Sequence, residues 1–325
     1  MIFYHVDSLN DVLMLTAYDM QAVKLEPRIL NLPISGQQLF GLHRKDDYTA
    51  DCASFIREMT NKMTQEYGVK CLSGELGKVD DICLTKVTFK EGSQLVGSKN
   101  RALATDPVLS QQQRFSLRTM DGRTHDFDFI VLAAGVNTPL FARMLSIGGS
   151  CPTYPLRGYS LTVYCDSSQS RATESKVHVR HAKNLLNQPL KIDDMYCSSV
   201  GQNMARIAGF GELCGFRDKA TNVPSLAPKV LTRYCKELFP EAKVVEANAL
   251  QCFRPLSPDD IPIVGAVKSV PGVFLHTGHG TLGWTLCLAT AECLAQAMTD
   301  DISSTFDLPG GISIERHHLS PDRFL

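Results

Sequence analysis

Apolar residues recur at three- and four-residue spacing in several stretches of the chain, and each predicts a helix buried along one face. Over residues 7–23 the stripe is Leu9, Val12, Leu13, Ala17 and Met20. Over 50–66 it is Phe55, Ile56, Met59 and Met63, running on to Tyr67, with Gly68 as the stop signal. Asn137-Thr138-Pro139 offers a cap and a first-turn proline for a helix through about Ser146. Further helices are predicted at about 225–238 and at 282–298. The last is apolar nearly all round, with Trp284, Leu286, Leu288, Ala289, Cys293, Leu294 and Met298.

The remaining apolar pattern is extended. Strands are expected at 69–72, 82–89, 161–165, 176–180, 204–210, 249–255 and 272–277. Asp121-Gly122 between two extended runs predicts a hairpin, because such turns need positive φ. FIVLAAG, 129–135, is continuously apolar, as in a parallel strand covered on both faces. Residues 27–47 read as loop with short extended pieces, and the polar stretch 91–113 as an exposed insertion. The alternation over 151–275 points to an antiparallel sheet, and no internal repeat is present. The pattern therefore reads as α/β in the mixed sense, with a parallel strand at 129–135 and an antiparallel sheet over 151–275.

Composition narrows the function. The 325 residues are 44% hydrophobic and 21% charged, which excludes a disordered chain, a collagen and a coiled coil. A net charge of −1 speaks against nucleic-acid binding. No apolar run reaches the roughly 18 residues of a transmembrane helix. The N-terminus has no basic region, and Asp7 and Asp11 interrupt its apolar stretch, so it does not read as a signal peptide. Eleven dispersed cysteines without a C-x-x-C pair suggest buried thiols in a reducing, intracellular and most simply cytoplasmic compartment.

Four segments carry candidate chemistry. GHGTLG, 278–283, matches G-x-G-x-x-G between a strand and a helix, but no second strand ending in an acid follows it. It therefore reads as a glycine corner where backbone approaches a ligand, not as a dinucleotide fingerprint. GFGELCG, 209–215, has its third glycine one position late and reads as a turn at a strand end. HVRH, 178–181, would set its two histidines on opposite faces of a strand, so no metal site is expected. Arg254 ends an apolar strand. By spacing alone it is a solvated or salt-bridged residue, although arginine also grips carboxylates at two points.

DYTADCASF, EYGVKC, FDFIVLAAGVNTPL, YPLRGYSLTV, ARIAGFGELCGF, RPLSPDDIPIVG and FLHTGHGTLGWTLCLATA occur in one order along the chain. In that order they resemble the FAD-dependent D-amino acid dehydrogenases of small-subunit type, within the D-amino acid oxidase-like flavoprotein family. The resemblance implies a FAD-binding domain and a substrate domain interleaved in sequence. Residues 1–25 and 156–255 would fall to the substrate side, 47–155 and 256–310 to the FAD side, and 311–325 to a tail. It implies FAD as cofactor, approached by Ala133, Ala134 and Gly135 and by Gly278, His279, Gly280, Thr281, Leu282 and Gly283. It makes Arg254 the substrate carboxylate anchor, with Arg206 a second candidate and Tyr159 a residue lining the substrate side or packed in its sheet.

The implied reaction is oxidation of a D-amino acid to a 2-oxo acid and ammonia, with the flavin carrying the chemistry and no protein nucleophile. Electrons would leave to a quinone or another acceptor, which leaves peripheral association with a membrane open. Members of the family begin with a strand–GxGxxG–helix–strand–acid unit that this sequence lacks. The expectation is weak FAD binding and exposed apolar surface on FIVLAA and the 282–298 helix. The alternatives are a truncated fragment or paralogue that binds no FAD, or a related enzyme of glycine, sarcosine or proline type.

Overall fold

The structure is a computed structural model. It describes residues 2–4, 21–25, 39–43, 50–87, 112–164, 190–192, 195–199, 204–215, 226–238, 249–299 and 303–325. By internal contacts the chain divides into two units. Unit one comprises Met1–Met63 and Leu156–Phe253, and unit two comprises Thr64–Pro155 and Arg254–Leu325.

Unit one is built on an eight-stranded sheet. Its strands are β1 (Ile2–Tyr4), β2 (Gln21–Leu25), β3 (Leu39–His43), β8 (Tyr154–Tyr164), β9 (Leu190–Ile192), β10 (Met195–Ser199), β11 (Met204–Leu213) and β12 (Ala249–Leu256). The spatial order is β12-β8-β11-β10-β9-β1-β3-β2. β1 and β9 run parallel, while β8, β11, β10 and β9 pair antiparallel in turn. Period-two alternation sends Tyr159, Leu161 and Val163 of β8 and Ala205 and Ile207 of β11 to one face. There they pack against Ala227, Leu231 and Cys235 of helix α3 (Ala227–Leu238). Helix α1 (Cys52–Tyr67) begins where Asp51 accepts the Ala53 and Ser54 amides at 3.0 and 3.1 Å, a side-chain N-cap.

Unit two holds a meander of β4 (Val79–Val87), β5 (Gln112–Thr119) and β6 (Thr124–Phe127), and a three-stranded sheet of β7 (Ile130–Leu132), β13 (Ile263–Ala266) and β14 (Val273–Thr277). In the latter β14 is central, parallel to β7 and antiparallel to β13. One core gathers Ile130, Leu132, Val273 and Leu275 with Phe115 of β5 and with Ala142 of helix α2 (Thr138–Met144). Another joins Val264 of β13 to Cys293 of helix α4 (Gly283–Thr299), Phe306 and Leu319. The last residues form a hairpin, β15 (Thr305–Leu308) and β16 (Ile312–Glu315), then helix α5 (Arg316–Leu319) and a 3-10 turn, Pro321–Phe324.

Several expectations are corrected. Residues 21–23, expected in the first helix, belong to β2, and the rest of that prediction lies outside the described residues, as do 176–180 and most of 91–113. Residues 69–72 are not a strand. β11 continues to Leu213 through a bulge at Phe210 (φ +64) and Gly211, so GFGELCG is a bulged strand end and not a turn. β7 is short and is not covered on both faces: Val131, between buried Ile130 and Leu132, is 38% exposed. Among the described residues β7 stands at the edge of its sheet, and Val131 receives less cover than Phe274 beside it on central β14. Apolar exposure continues on Phe129 (60%), on Trp284 and Leu288 of α4, and on Phe55, Ile56, Met59, Met63 and Tyr67 of α1.

Candidate functional site

β7 and β14 run parallel and end side by side, Leu132 opposite Leu275. Beyond the carboxyl ends of such strands lies the crevice where α/β sheets receive ligands. β7 leads through Ala133 and Ala134, both exposed, into a 3-10 turn at Gly135–Asn137 and then α2. β14 leads through Gly278 and His279 into a 3-10 turn at Gly280–Leu282 and then the 17 residues of α4. The two ends are tied together, since the Thr277 hydroxyl donates to the Gly135 carbonyl at 3.3 Å. Gly135 has φ +57, and a Cβ built there would meet nothing within 4 Å, so its backbone faces open space.

The corner glycines have a different reason to be glycine. Gly278 (φ +77) would press a Cβ to 3.2 Å from Ile263 and 3.3 Å from Ser257. Gly280 (φ +51) would meet the Asp260 carboxylate at 3.0 Å and Leu256 at 3.4 Å. Both are required by the segment 256–263 packed against them and by positive φ. Gly283 would make only an ordinary contact, at 3.5 Å from His279. Thr281 and Leu282 are exposed at the head of α4.

The same segment leads back into β12, the strand that bears Arg254. Leu256, at the end of β12, forms an antiparallel bridge with His279. Arg254 lies two residues earlier, on the same side of the strand as Leu256, and is half-buried. His276 and His279 meet at the corner with ring centroids 4.8 Å apart. Each places Nε2 3.0 Å from the Thr290 hydroxyl, which itself lies 2.9 Å from the Leu286 carbonyl. With its proton given to that carbonyl, the hydroxyl oxygen accepts an N–H from each ring. Burial, with the neighbouring His276, pushes His279 down to about 4, and burial also lowers His276. Both rings are therefore neutral near pH 7.

Arg206 and Tyr159 belong to unit one and occupy opposite faces of its sheet. Arg206 is exposed, with Nε 3.4 Å from the Thr162 hydroxyl. Tyr159 is 4% exposed and part of the core against α3. Its hydroxyl donates to Glu212 Oε2 at 2.8 Å, the oxygen that also takes Arg157 at 2.8–2.9 Å. The Arg157–Glu212 pair was not anticipated. Glu212 lies in GFGELCG, and only the bulge of β11 sets it opposite Arg157. Thr290, eleven residues from His279, likewise had no local signal. The histidines of HVRH lie outside the described residues.

A family model described as FAD dependent oxidoreductase matches residues 8–297. The chain belongs to the FAD-dependent oxidoreductase family. Within it, the chain is 28% identical over 299 residues to a D-amino acid dehydrogenase of Vibrio vulnificus (strain CMCP6), covering 91% of this chain and 59% of that one. It is 29% identical over 262 residues to a D-amino acid dehydrogenase of Rhizobium rhizogenes, covering 80% and 51%. The chain thus spans between half and three-fifths of the length of these relatives. Among solved structures, L-proline dehydrogenase from P. horikoshii superposes with a TM-score of 0.63 at 14% identity, over 99% of this chain and 76% of that one. Amadoriase II, a fructosamine oxidase from Aspergillus fumigatus, gives 0.65 at 12%, over 99% and 70%. At these identities the likeness is one of fold, and both names denote oxidoreductases.

The residues at the carboxyl ends of β7 and β14 suit a flavin of this family. Gly135 leaves its backbone open to a ligand, and the N-terminal end of a helix dipole favours negative charge without a cationic side chain. Among the described residues, no helix is long and apolar enough to cross a membrane.

Proposed function

We propose that this chain carries the substrate-anchoring and flavin-facing residues of an FAD-dependent oxidoreductase that converts D-amino acids to 2-oxo acids and ammonia. The observation that carries the reading is the Leu256–His279 bridge, which joins the strand bearing Arg254 to the glycine corner beyond β14. When bound, FAD supplies the acceptor for the α-hydrogen, taken as a hydride.

The residues divide the remaining work. Arg254 grips the substrate carboxylate at two points and so orients the Cα–H bond, a gain from positioning and not from covalent chemistry. The backbone of Ala133, Ala134 and Gly135 would hold the nucleotide of the flavin. Gly278–Gly283 would hold the ring system, and the dipole of α4 would favour negative charge there. The neutral His279 keeps a competing cation out of that position. The oxidised product is an imino acid, which water hydrolyses to the 2-oxo acid and ammonia. In unit one, Tyr159 is a packed core residue held by Glu212 and not a residue that meets substrate, while exposed Arg206 on the other face remains the candidate there. A quinone or other acceptor removes the electrons.

The test is anaerobic addition of D- or L-amino acids to the protein at saturating FAD. D-Amino acids should bleach the oxidised-flavin absorbance and release ammonia in equal amount, while L-amino acids leave it unchanged. Bleaching by neither enantiomer would refute the reading.

A further inference from the structure

The segment that packs beneath the glycine corner is itself held from the far end of the chain. Arg323, 12% exposed at its side chain, donates from Nε to Asp259 Oδ2 at 2.8 Å and from Nη2 to Asp259 Oδ1 at 3.0 Å. Nη2 also donates to the Ile261 carbonyl at 2.7 Å, and Nη1 to the Ser320 carbonyl at 3.1 Å. The guanidinium lies 4.3 Å from the centre of the Phe324 ring. The residues before it are fixed as well. Leu319 is buried in the core with Val264, the Ser320 hydroxyl caps the Asp322 amide at 3.1 Å, and Pro321 lies against Gly265. This is a planar two-point grip with one further contact inside the same turn, which a lysine does not reproduce.

What Arg323 grips is the connection between Arg254 and β13. In that connection Asp260 adopts φ +59, a conformation a non-glycine residue holds only when its surroundings fix it. Its carboxylate occupies the space that excludes a side chain at Gly280, and Ser257 and Ile263 occupy the space at Gly278. The turn therefore shapes the corner on one side and on the other joins β12, the strand that bears Arg254.

We propose that Arg323 is a positioning residue for the substrate site: by clamping Asp259 and Ile261 it fixes the turn that follows the strand bearing Arg254 and, through that turn, the shape of the 278–283 corner. This rests on the reading of Arg254 as the carboxylate anchor. The assignment is tested in the full chain with Arg323→Ala, Arg323→Lys and the exchanged pair Asp259→Arg/Arg323→Asp. The readouts are amide hydrogen exchange and, at saturating FAD, the Kd of benzoate, a carboxylate with no amine to oxidise.

Arg323→Ala should speed exchange at least tenfold in residues 254–263 and 276–284 while leaving the β5–β6 hairpin at the parent rate. Its benzoate Kd should rise at least fivefold, the lysine variant should fall between it and the parent, and the exchanged pair should recover part of the loss. If Arg323→Ala does not fold, the lysine variant carries both comparisons. Faster exchange everywhere in unit two, or nowhere, would overturn the proposal. So would local loosening with an unchanged benzoate Kd. A parent that binds no benzoate overturns the anchor reading and this role with it, whereas a parent that binds it and an Arg323→Ala variant that binds it equally overturn the role of Arg323 alone.

Discussion

Replacing Thr290 with valine keeps the shape of the side chain and removes one oxygen, on which two imidazole N–H groups converge. Leaving a buried donor without an acceptor costs about 1–3 kcal/mol. Both rings are only part-buried, so water meets some of that loss, and about 2 kcal/mol is expected for the pair. Trp284, the only tryptophan of the chain, lies in α4 near the corner, so urea unfolding followed by its fluorescence reads this region. Thr290→Ser keeps the oxygen and should stay close to the parent. The same titration repeated across pH has a defined sign. His279 falls from an ordinary 6.5 to about 4, so between those values the unfolded chain takes up a proton that the folded chain refuses. Stability is then fully present above about pH 6.5 and declines as pH falls toward 4. Such a gap corresponds to about 3.4 kcal/mol, which screening at a half-exposed ring reduces to about 1–2. A Thr290→Val protein within about 0.5 kcal/mol of the parent at pH 7 would refute the hydrogen-bond reasoning.

Gly280→Ala forces a side chain into positive φ and against the Asp260 carboxylate, and should lower stability by about 1–2 kcal/mol or more, read by the same urea titration. In unit one, Leu231→Ala removes a fully buried side chain from the core beneath β8 and β11, and a loss of about 2–5 kcal/mol in thermal or urea unfolding is expected. The exposed apolar residues of α1, α4 and the β7 edge predict ANS binding and self-association in light scattering; a monodisperse monomer that leaves ANS dark would contradict this.

The parts of the fold that were legible are those whose cause is local. The stripe of α1, the Asp121-Gly122 hairpin with Gly122 at φ +84, and the strand–glycine–helix passage from β14 to α4 are each decided within a dozen residues. Short strands such as β1, β9 and β13 were missed because three to five residues carry no period, and remote partners decide them. The double-sided cover expected of FIVLAAG failed for a similar reason, since hydrophobicity alone does not set a strand's place in its sheet, and Val131 of β7 stays exposed. At the site, Gly278 and Gly280 were recognised as a corner, but the need for them comes from Ser257, Asp260 and Ile263. Arg323 and Asp259 stand 64 residues apart, and no spacing rule connects them.

The most direct test of the account is the affinity of the protein for a carboxylate when Arg254 is changed. At saturating FAD, benzoate binding should weaken at least about tenfold in Arg254→Ala, as expected for a bidentate charged pair worth roughly 1.5–3 kcal/mol. Arg254→Lys should recover only part of that loss, FAD content should be unchanged, and D-amino acid oxidation should show the same order in kcat/KM. An Arg254→Ala protein that binds benzoate and oxidises D-amino acids as the parent does would make Arg254 a structural arginine and contradict the assignment of the site.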